Sequence, residues 1–239
     1  MVCSDLRTLI IVPCYNEQET ILDLYREIND KTAYDVLVVN DCSTDESGAI
    51  LMREGIPHLS LPLNLGIGGA VQTGYRYALG NDYDIAVQVD GDGQHDPGQI
   101  EALVAPIEKG DADLVIGSRY IDKTGFQSSV MRRVGIRFFK MLIYCLSGAK
   151  ITDATSGFRA VNKKTMLLFD TYYAKDYPEP ESNILALKNN MRVIEIPVTM
   201  RKRQGGTSSI KALQPIYYML KVSLGIIISS TIRVRVKEI

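Results

Sequence analysis

Two carboxylates flank a single glycine in Asp90-Gly91-Asp92, directly after an apolar run and ahead of Gly93-Gln94-His95-Asp96-Pro97. A turn of this kind can present oxygens to a hard divalent cation. Mg²⁺ or Mn²⁺ takes such ligands and usually shares them with substrate phosphates. A cation held there would neutralise a diphosphate and stabilise it as a leaving group. The same aspartates would equally serve as caps of an ordinary strand-end turn. Two more clusters follow apolar runs. Pro13-Cys14-Tyr15-Asn16-Glu17 offers an aromatic face, an amide and a carboxylate, which suit a base and a ribose. Asp41 closes the next run. Singly each reads as a helix cap; at successive strand ends they read as a nucleotide pocket.

The complementary chemistry is basic. Guanidinium groups bind phosphate bidentately and stay charged, so Arg119, Arg132 and Arg133 suit a phosphate-bearing ligand. Net charge is −1 overall, but residues 1–118 carry 6 Lys/Arg against 20 Asp/Glu, and residues 119–164 carry 10 against 2. Residues 201–239 carry 8 against 1. An acidic front half and two basic blocks imply two jobs, the second facing an anionic partner. Nothing in the pattern points to nucleic acid.

The elements that must position these groups alternate. Short apolar runs at Leu6–Pro13, Tyr34–Asn40, His58–Leu61, Asp84–Val89 and Ala112–Gly117 read as buried strands. Helical spacing covers Thr20–Asn29, Ser47–Glu54, Ala70–Leu79 and Pro97–Lys109. This predicts an α/β chain, a mostly parallel Rossmann-like sheet with helices on both faces, whose ligands lie beyond the carboxyl ends of the strands. Gly66-Ile67-Gly68-Gly69-Ala70-Val71 lacks the third glycine of a dinucleotide fingerprint, so Asn64 to Gly69 is read as a tight turn facing the donor. His58 and His95 make no zinc set; His95 either orients the aspartate loop or is structural. The four cysteines have no metal or redox spacing, and Met1 to Arg7 is too short and polar for a signal peptide, which together suggest a reducing compartment.

Between Gln127 and Leu146 a helix would gather Arg132, Arg133, Arg137 and Lys140 in one arc. Val130, Val134, Phe138, Met141, Leu142 and Cys145 lie opposite. That suits an interfacial helix on anionic lipid, or a core helix with a solvated face. Ile216 to Ile232 carries only Lys221 as a charge and sits near the lower limit for a span, so it reads as an amphipathic or partner-docking helix. A small membrane protein or a second copy of the chain would be its partner.

Taken in order, Pro13-Cys14-Tyr15-Asn16-Glu17, Asn40-Asp41-Cys42-Ser43-Thr44-Asp45 and Asp90 to Pro97 resemble a family 2 glycosyltransferase of the GT-A fold. Gly117-Ser118-Arg119, Thr155-Ser156-Gly157-Phe158-Arg159 and Arg203-Gln204-Gly205-Gly206-Thr207-Ser208 narrow the resemblance to polyprenyl-phosphate glycosyltransferases. That group includes dolichyl-phosphate mannose synthases and undecaprenyl-phosphate sugar transferases. The resemblance runs from about Leu9 to Ser209. It implies a catalytic domain over 1–209, with a nucleotide and metal half (1–118) and an acceptor half (119–209), then a docking tail over 210–239. By the same resemblance Pro13, Tyr15, Glu17, Asp41 and Asp90 would hold the nucleotide, and Asp90, Asp92 and Gln94 the Mg²⁺ or Mn²⁺. Arg203 would contact the diphosphate, and Arg119 with Arg132 or Arg133 the acceptor phosphate. Asp92, Arg119 and Arg203 would carry the catalysis. Where related synthases place a serine four residues after the first arginine of such a pair, this chain has Ile136.

The expected reaction is inverting transfer of a sugar, from UDP-hexose or UDP-N-acetylhexosamine, to a polyprenyl phosphate at the cytoplasmic face of a membrane. Two rivals stand beside it: a non-processive transferase with a sugar acceptor, and a silent nucleotide-sugar-binding subunit. The processive version uses a tryptophan motif, and the chain has no tryptophan.

Overall fold

The computed structural model describes residues 6–122, 130–201 and 215–234, with side chains from 135 and from 219 onward in the last two segments. Strands β1 (Thr8–Cys14), β2 (Asp35–Asn40), β3 (His58–Ser60), β4 (Ile85–Gln88) and β5 (Leu114–Ser118) fall where the apolar runs predict them. Between them come α1 (Ile21–Lys31), α2 (Ser47–Arg53), α3 (Gly66–Gly80) and α4 (Ile100–Glu108). Pro97–Gln99 forms a separate 3₁₀ turn before α4, capped by Asp96, whose side chain accepts from the Gly98 N–H. The second half adds α5 (Val130–Ser147), β6 (Arg159–Asn162), α6 (Lys163–Thr171), α7 (Pro178–Lys188), β7 (Val193–Pro197) and α8 (Pro215–Thr231).

All seven strands form one sheet, in the order β3-β2-β1-β4-β6-β5-β7. Successive residues of a strand point to opposite faces, and both faces are covered. Leu9 and Ile11 of β1 face α3 and the second-half helices. Ile10 and Val12 face α1 and α4. That is why the strands read as unbroken apolar runs.

The one reversed strand decides the architecture of the site. β6 runs antiparallel to both β4 and β5, with Arg159 opposite Gln88 and Ile116. An antiparallel strand begins where its parallel neighbours end. The loop leading into β6, with Asp153 to Phe158, is thereby delivered to the carboxyl edge that carries Asp41 and Asp90. β7 pairs parallel with β5, Pro197 lying opposite Ser118. The chain then continues to the same edge, where Met200 bridges His95.

One sequence expectation is corrected and a second is sharpened. Asn64–Gly69 is not a single tight turn, because helix α3 already begins at Gly66. Gly68 is needed for packing: a Cβ there would stand 1.9 Å from the Ala174 carbonyl oxygen. Its N–H donates to the Lys175 carbonyl at 2.9 Å. In α5 the core face is Ile136, Phe139 and Ile143, all buried. Of the expected apolar face, Leu142 packs on the core, while Met141 is 59% and Phe138 39% exposed and Cys145 is also exposed, as the interfacial alternative requires. The helix has apolar residues on two sides, and a periodicity argument found the outer one. In α8, Val222 and Ile226 point inward while Leu220, Leu224, Ile227 and Ile228 are exposed. α5 and α8 pack on each other. Among the described residues, no helix is long and apolar enough to cross a membrane.

Candidate active site

The first wall is built from two loops laced together. Asn16, at φ 58°, turns its side-chain oxygen to accept from the backbone N–H groups of Thr44 (2.8 Å) and Asp45 (3.3 Å). The Asn16 N–H donates to the Ser43 hydroxyl at 3.1 Å, and the Glu17 N–H to the Ser47 hydroxyl at 2.9 Å. Asn16 is therefore scaffold, and it leaves Tyr15 at the mouth, 46% exposed. Asp41 is buried, and its two oxygens accept from the N–H groups of Leu65 (2.7 Å) and Gly66 (2.8 Å). It caps α3 from the end of β2, placing a carboxylate where that helix's N-terminal N–H groups would otherwise lack partners.

The aspartate loop sits against this wall. A Cβ on Gly91 would stand 2.9 Å from the Pro13 carbonyl oxygen and 3.4 Å from Glu17 Cγ. The Thr20 hydroxyl donates to the Gly91 carbonyl at 2.7 Å. Glycine is required because the backbones of the two motifs touch. Asp90 accepts from the Gln88 amide at 3.1 Å, and Asp92 Oδ1 from the Gln94 N–H at 3.0 Å. Gln94 is tied to the segment that follows β7: its carbonyl accepts from the Arg201 N–H at 2.9 Å, and its amide nitrogen reaches the Arg201 carbonyl at 3.4 Å. Arg201 in turn forms a two-pronged pair with Glu27, at 2.7 and 2.8 Å, and a third bond to Asp96 at 2.8 Å.

The opposite wall carries Arg119. Its guanidinium is fixed bidentately on Asp153, Nε to Oδ2 at 2.6 Å and Nη2 to Oδ1 at 2.8 Å, and Nη2 also meets the Thr155 hydroxyl at 3.1 Å. Both partners are buried. Burial pushes the Arg119 pKa down, and the bonds and charge of Asp153 more than offset this and hold it above its ordinary value. Asp153 is braced from behind: Glu195 accepts from the N–H groups of Thr152 (2.6 Å) and Asp153 (2.7 Å).

His95 lies where the walls meet. Burial pushes its pKa below the ordinary value, against the pull of Asp90 and Asp92, while Arg119 pushes it further down. Its ring stacks on Phe158, centroids 4.7 Å apart. The structure thus gathers Pro13, Glu17, Asp90, Asp92, Gln94 and Arg119 along one edge, with Tyr15 and Asp41 on the adjoining loops. Arg132 and Arg133 lie in the first turn of α5, and their side chains, like all of Arg203, are outside the described residues.

For a divalent cation the donor set fits in kind. Among the described residues, no three His, Cys, Asp or Glu side chains converge as a metal cage. One or two carboxylates completed by phosphate and water is the arrangement a small hard cation ordinarily adopts beside a nucleotide.

The Glycosyl transferase family 2 profile matches residues 9–166. This chain belongs to that family. It is a glycosyltransferase. The undecaprenyl-phosphate mannosyltransferase of Micrococcus luteus is 31% identical, over 86% of this chain and 88% of that one. The UDP-N-acetylglucosamine–dolichyl-phosphate N-acetylglucosaminyltransferase of Methanococcus voltae is 27% identical, over 93% of this chain and 98% of that one. Among solved structures, glucosyl-3-phosphoglycerate synthase from Mycobacterium tuberculosis shares the fold, with a TM-score of 0.69 and 18% identity over 95% of this chain and 79% of that one. The GT-A fold expected from the motifs is the fold observed.

The glycosyltransferase's own structure adds residues that sequence reasoning did not single out. Asp153 fixes Arg119 and Gln88 orients Asp90; Gly157, already named within its motif, makes room for that carboxylate. Asp153 stands two residues ahead of the Thr155-Ser156-Gly157 motif, close enough to have drawn notice. Gln88, 0% exposed within a strand, gave no sequence signal beyond being polar in an apolar run.

Proposed function

We propose that this glycosyltransferase moves a sugar, with inversion, from a nucleotide-sugar to a polyprenyl phosphate at a membrane surface. The observation that carries the reading is the facing of opposite charges. The Asp90 carboxylate abuts Gly157 of the same loop whose Asp153 and Thr155 hold the Arg119 guanidinium, so the acidic pair and the fixed cation border one site. The names of the relatives, dolichyl- and undecaprenyl-phosphate sugar transferases, point to the same acceptor class.

On this reading Tyr15 stacks on the base, while Pro13, Glu17 and Asp41 shape the nucleoside pocket. Asp90, Asp92 and Gln94 hold Mg²⁺ or Mn²⁺, whose chemistry is neutralisation of the donor diphosphate. Arg203, outside the described residues, is assigned to the diphosphate by its motif alone. Arg119 supplies a fixed positive charge for the acceptor phosphate, with Arg132 or Arg133 as its second contact. The donor is UDP-hexose or UDP-N-acetylhexosamine.

The reaction needs no dedicated base. A phosphate monoester has a second pKa of about 6 and is largely ionised near neutrality. Its oxygen forms the new bond to the anomeric carbon as the bond to the diphosphate oxygen breaks, and the electron pair leaves with the nucleoside diphosphate. A sugar hydroxyl would have to lose a proton as it attacks. Asp153, the buried carboxylate of this wall, is committed to Arg119 through both oxygens, which supports the base-free acceptor over the sugar acceptor. Catalysis is then positioning and charge complementarity.

The exposed apolar side chains of α5 and α8, with Arg137 and Lys140 beside them, would rest on the cytoplasmic leaflet. The deciding experiment is transfer of radiolabelled sugar to polyprenyl phosphate in detergent, across a panel of nucleotide-sugars, with and without Mn²⁺. Transfer that disappears on chelation and in Asp92→Ala supports the reading. Tight nucleotide binding without transfer from any donor would instead identify a silent subunit.

A further inference from the structure

Within the aspartate motif, His95 is buried, 3% exposed, and both ring nitrogens face Asp90. Nδ1 lies 3.0 Å from the Asp90 backbone nitrogen. A backbone N–H can only donate, so Nδ1 must be the bare nitrogen, and the proton of the neutral ring sits on Nε2. Nε2 is 3.6 Å from Asp90 Oδ2, so the positive end of the ring dipole is directed at that carboxylate. The flat face is clamped by Phe158 at an interplanar angle of 15°. Phe158 follows Gly157, which itself abuts the Asp90 carboxylate. The ring is therefore a wedge between the aspartate motif and the loop that carries the Arg119 contacts.

This geometry removes two other roles. As a metal ligand the ring would need a free lone pair, but Nδ1 is taken by an N–H and Nε2 carries the proton. As a general acid or base it would have to reach substrate, and it is enclosed.

We propose that His95 is a positioning residue: its Nδ1 holds the Asp90 amide and its Nε2–H end faces the Asp90 carboxylate, so that the ring sets the direction from which Asp90 meets the cation on the donor. The proposal rests on the reading of Asp90 and Asp92 as the cation-holding pair. Partners that orient a ligand from behind typically contribute 10–100-fold to metal affinity.

The test separates acceptor position from bulk. His95→Phe keeps a stacking ring and removes the acceptor. His95→Asn restores an oxygen near the place of Nδ1, and His95→Gln moves it towards the place of Nε2. Mn²⁺ affinity is measured by titration calorimetry in saturating UDP, with thermal unfolding of the metal-free protein and the split of kcat from KM alongside. The expected result is Mn²⁺ affinity weakened about tenfold or more in His95→Phe and His95→Gln, with substantial recovery in His95→Asn. Equal affinity in all four proteins overturns the proposal, as does His95→Asn binding no better than His95→Gln. The Asn and Gln pair keeps the comparison valid should the Phe variant misfold. Asp92→Ala is run beside them: unchanged Mn²⁺ affinity there overturns the metal assignment itself, and the His95 role with it, whereas a loss there with none at His95 overturns the positioning role alone.

Discussion

Gly157 lies against the carboxylate of Asp90, so that a Cβ built on the glycine would stand 2.9 Å from Oδ2 and 3.0 Å from Oδ1. These residues are far apart in sequence and flank the end of β4 and the start of β6, strands that run in opposite directions. Their contact joins the aspartate loop to the wall that carries Arg119.

Gly157→Ala should therefore act on chemistry before stability. The added methyl must displace the far ends of the Asp90 and Gln88 side chains, which hydrogen-bond each other. Turnover is expected to fall tenfold or more, equivalent to about 1.4 kcal/mol. The thermal midpoint should move by no more than about 2–4 °C, the shift that about 1 kcal/mol produces in a chain of this size. Activity and unfolding measured on one preparation check this; equal loss of both would make the glycine structural only.

The Arg119–Asp153 pair predicts non-additive stability. Removing one member leaves a buried charge without its bidentate partner, which costs about 3–5 kcal/mol. Asp153→Ala and Arg119→Ala should each lower the midpoint of denaturant unfolding strongly. Arg119→Met combined with Asp153→Leu should recover most of that loss, because apolar groups of similar volume avoid the desolvation cost. Transfer activity should stay absent in the double variant. Recovery of activity with stability would remove Arg119 from the catalytic reading.

Glu181 gives a pH signature. Burial holds its pKa above the ordinary value, against the Ser229 hydroxyl and Lys221. A raised carboxyl pKa means the folded state binds the proton more tightly than the unfolded chain. The associated stability is full below the unfolded value and is lost as pH rises through the folded one. Glu181→Gln does not titrate, so it should gain on the wild type as pH rises above the ordinary carboxylate range. Thermal unfolding of both proteins from pH 4 to pH 8 measures the difference; a gap that narrows with rising pH contradicts the assignment.

The outer faces of α5 and α8 predict lipid binding without a span. A fully buried leucine contributes about 1.5–3 kcal/mol, so each one removed from a docked face weakens binding by tenfold or more. Leu224→Glu together with Met141→Glu should abolish co-sedimentation with vesicles containing anionic lipid while leaving nucleotide binding intact. Unchanged sedimentation would direct attention to a protein partner for this face.

Much of this protein is legible in its sequence because local chemistry decides it. Apolar runs such as Leu9–Val12, short and rich in branched residues, favour strands buried on both faces, and Asp90-Gly91-Asp92 shows by residue type the chemistry it can do. The order of the motifs was enough to indicate the family. Tertiary structure alone decided the rest. Antiparallel β6 is only four residues long, and its burial comes from its neighbours rather than from any pattern of its own. Without that reversal the Asp153–Phe158 loop would lie at the other edge of the sheet, and Arg119 would have no buried carboxylate. The direction of α5 was equally hidden, since a helix apolar on two sides does not say which one the core will take. Residue type fixes what each group can do, but pairing between strands distant in the chain fixes which groups meet.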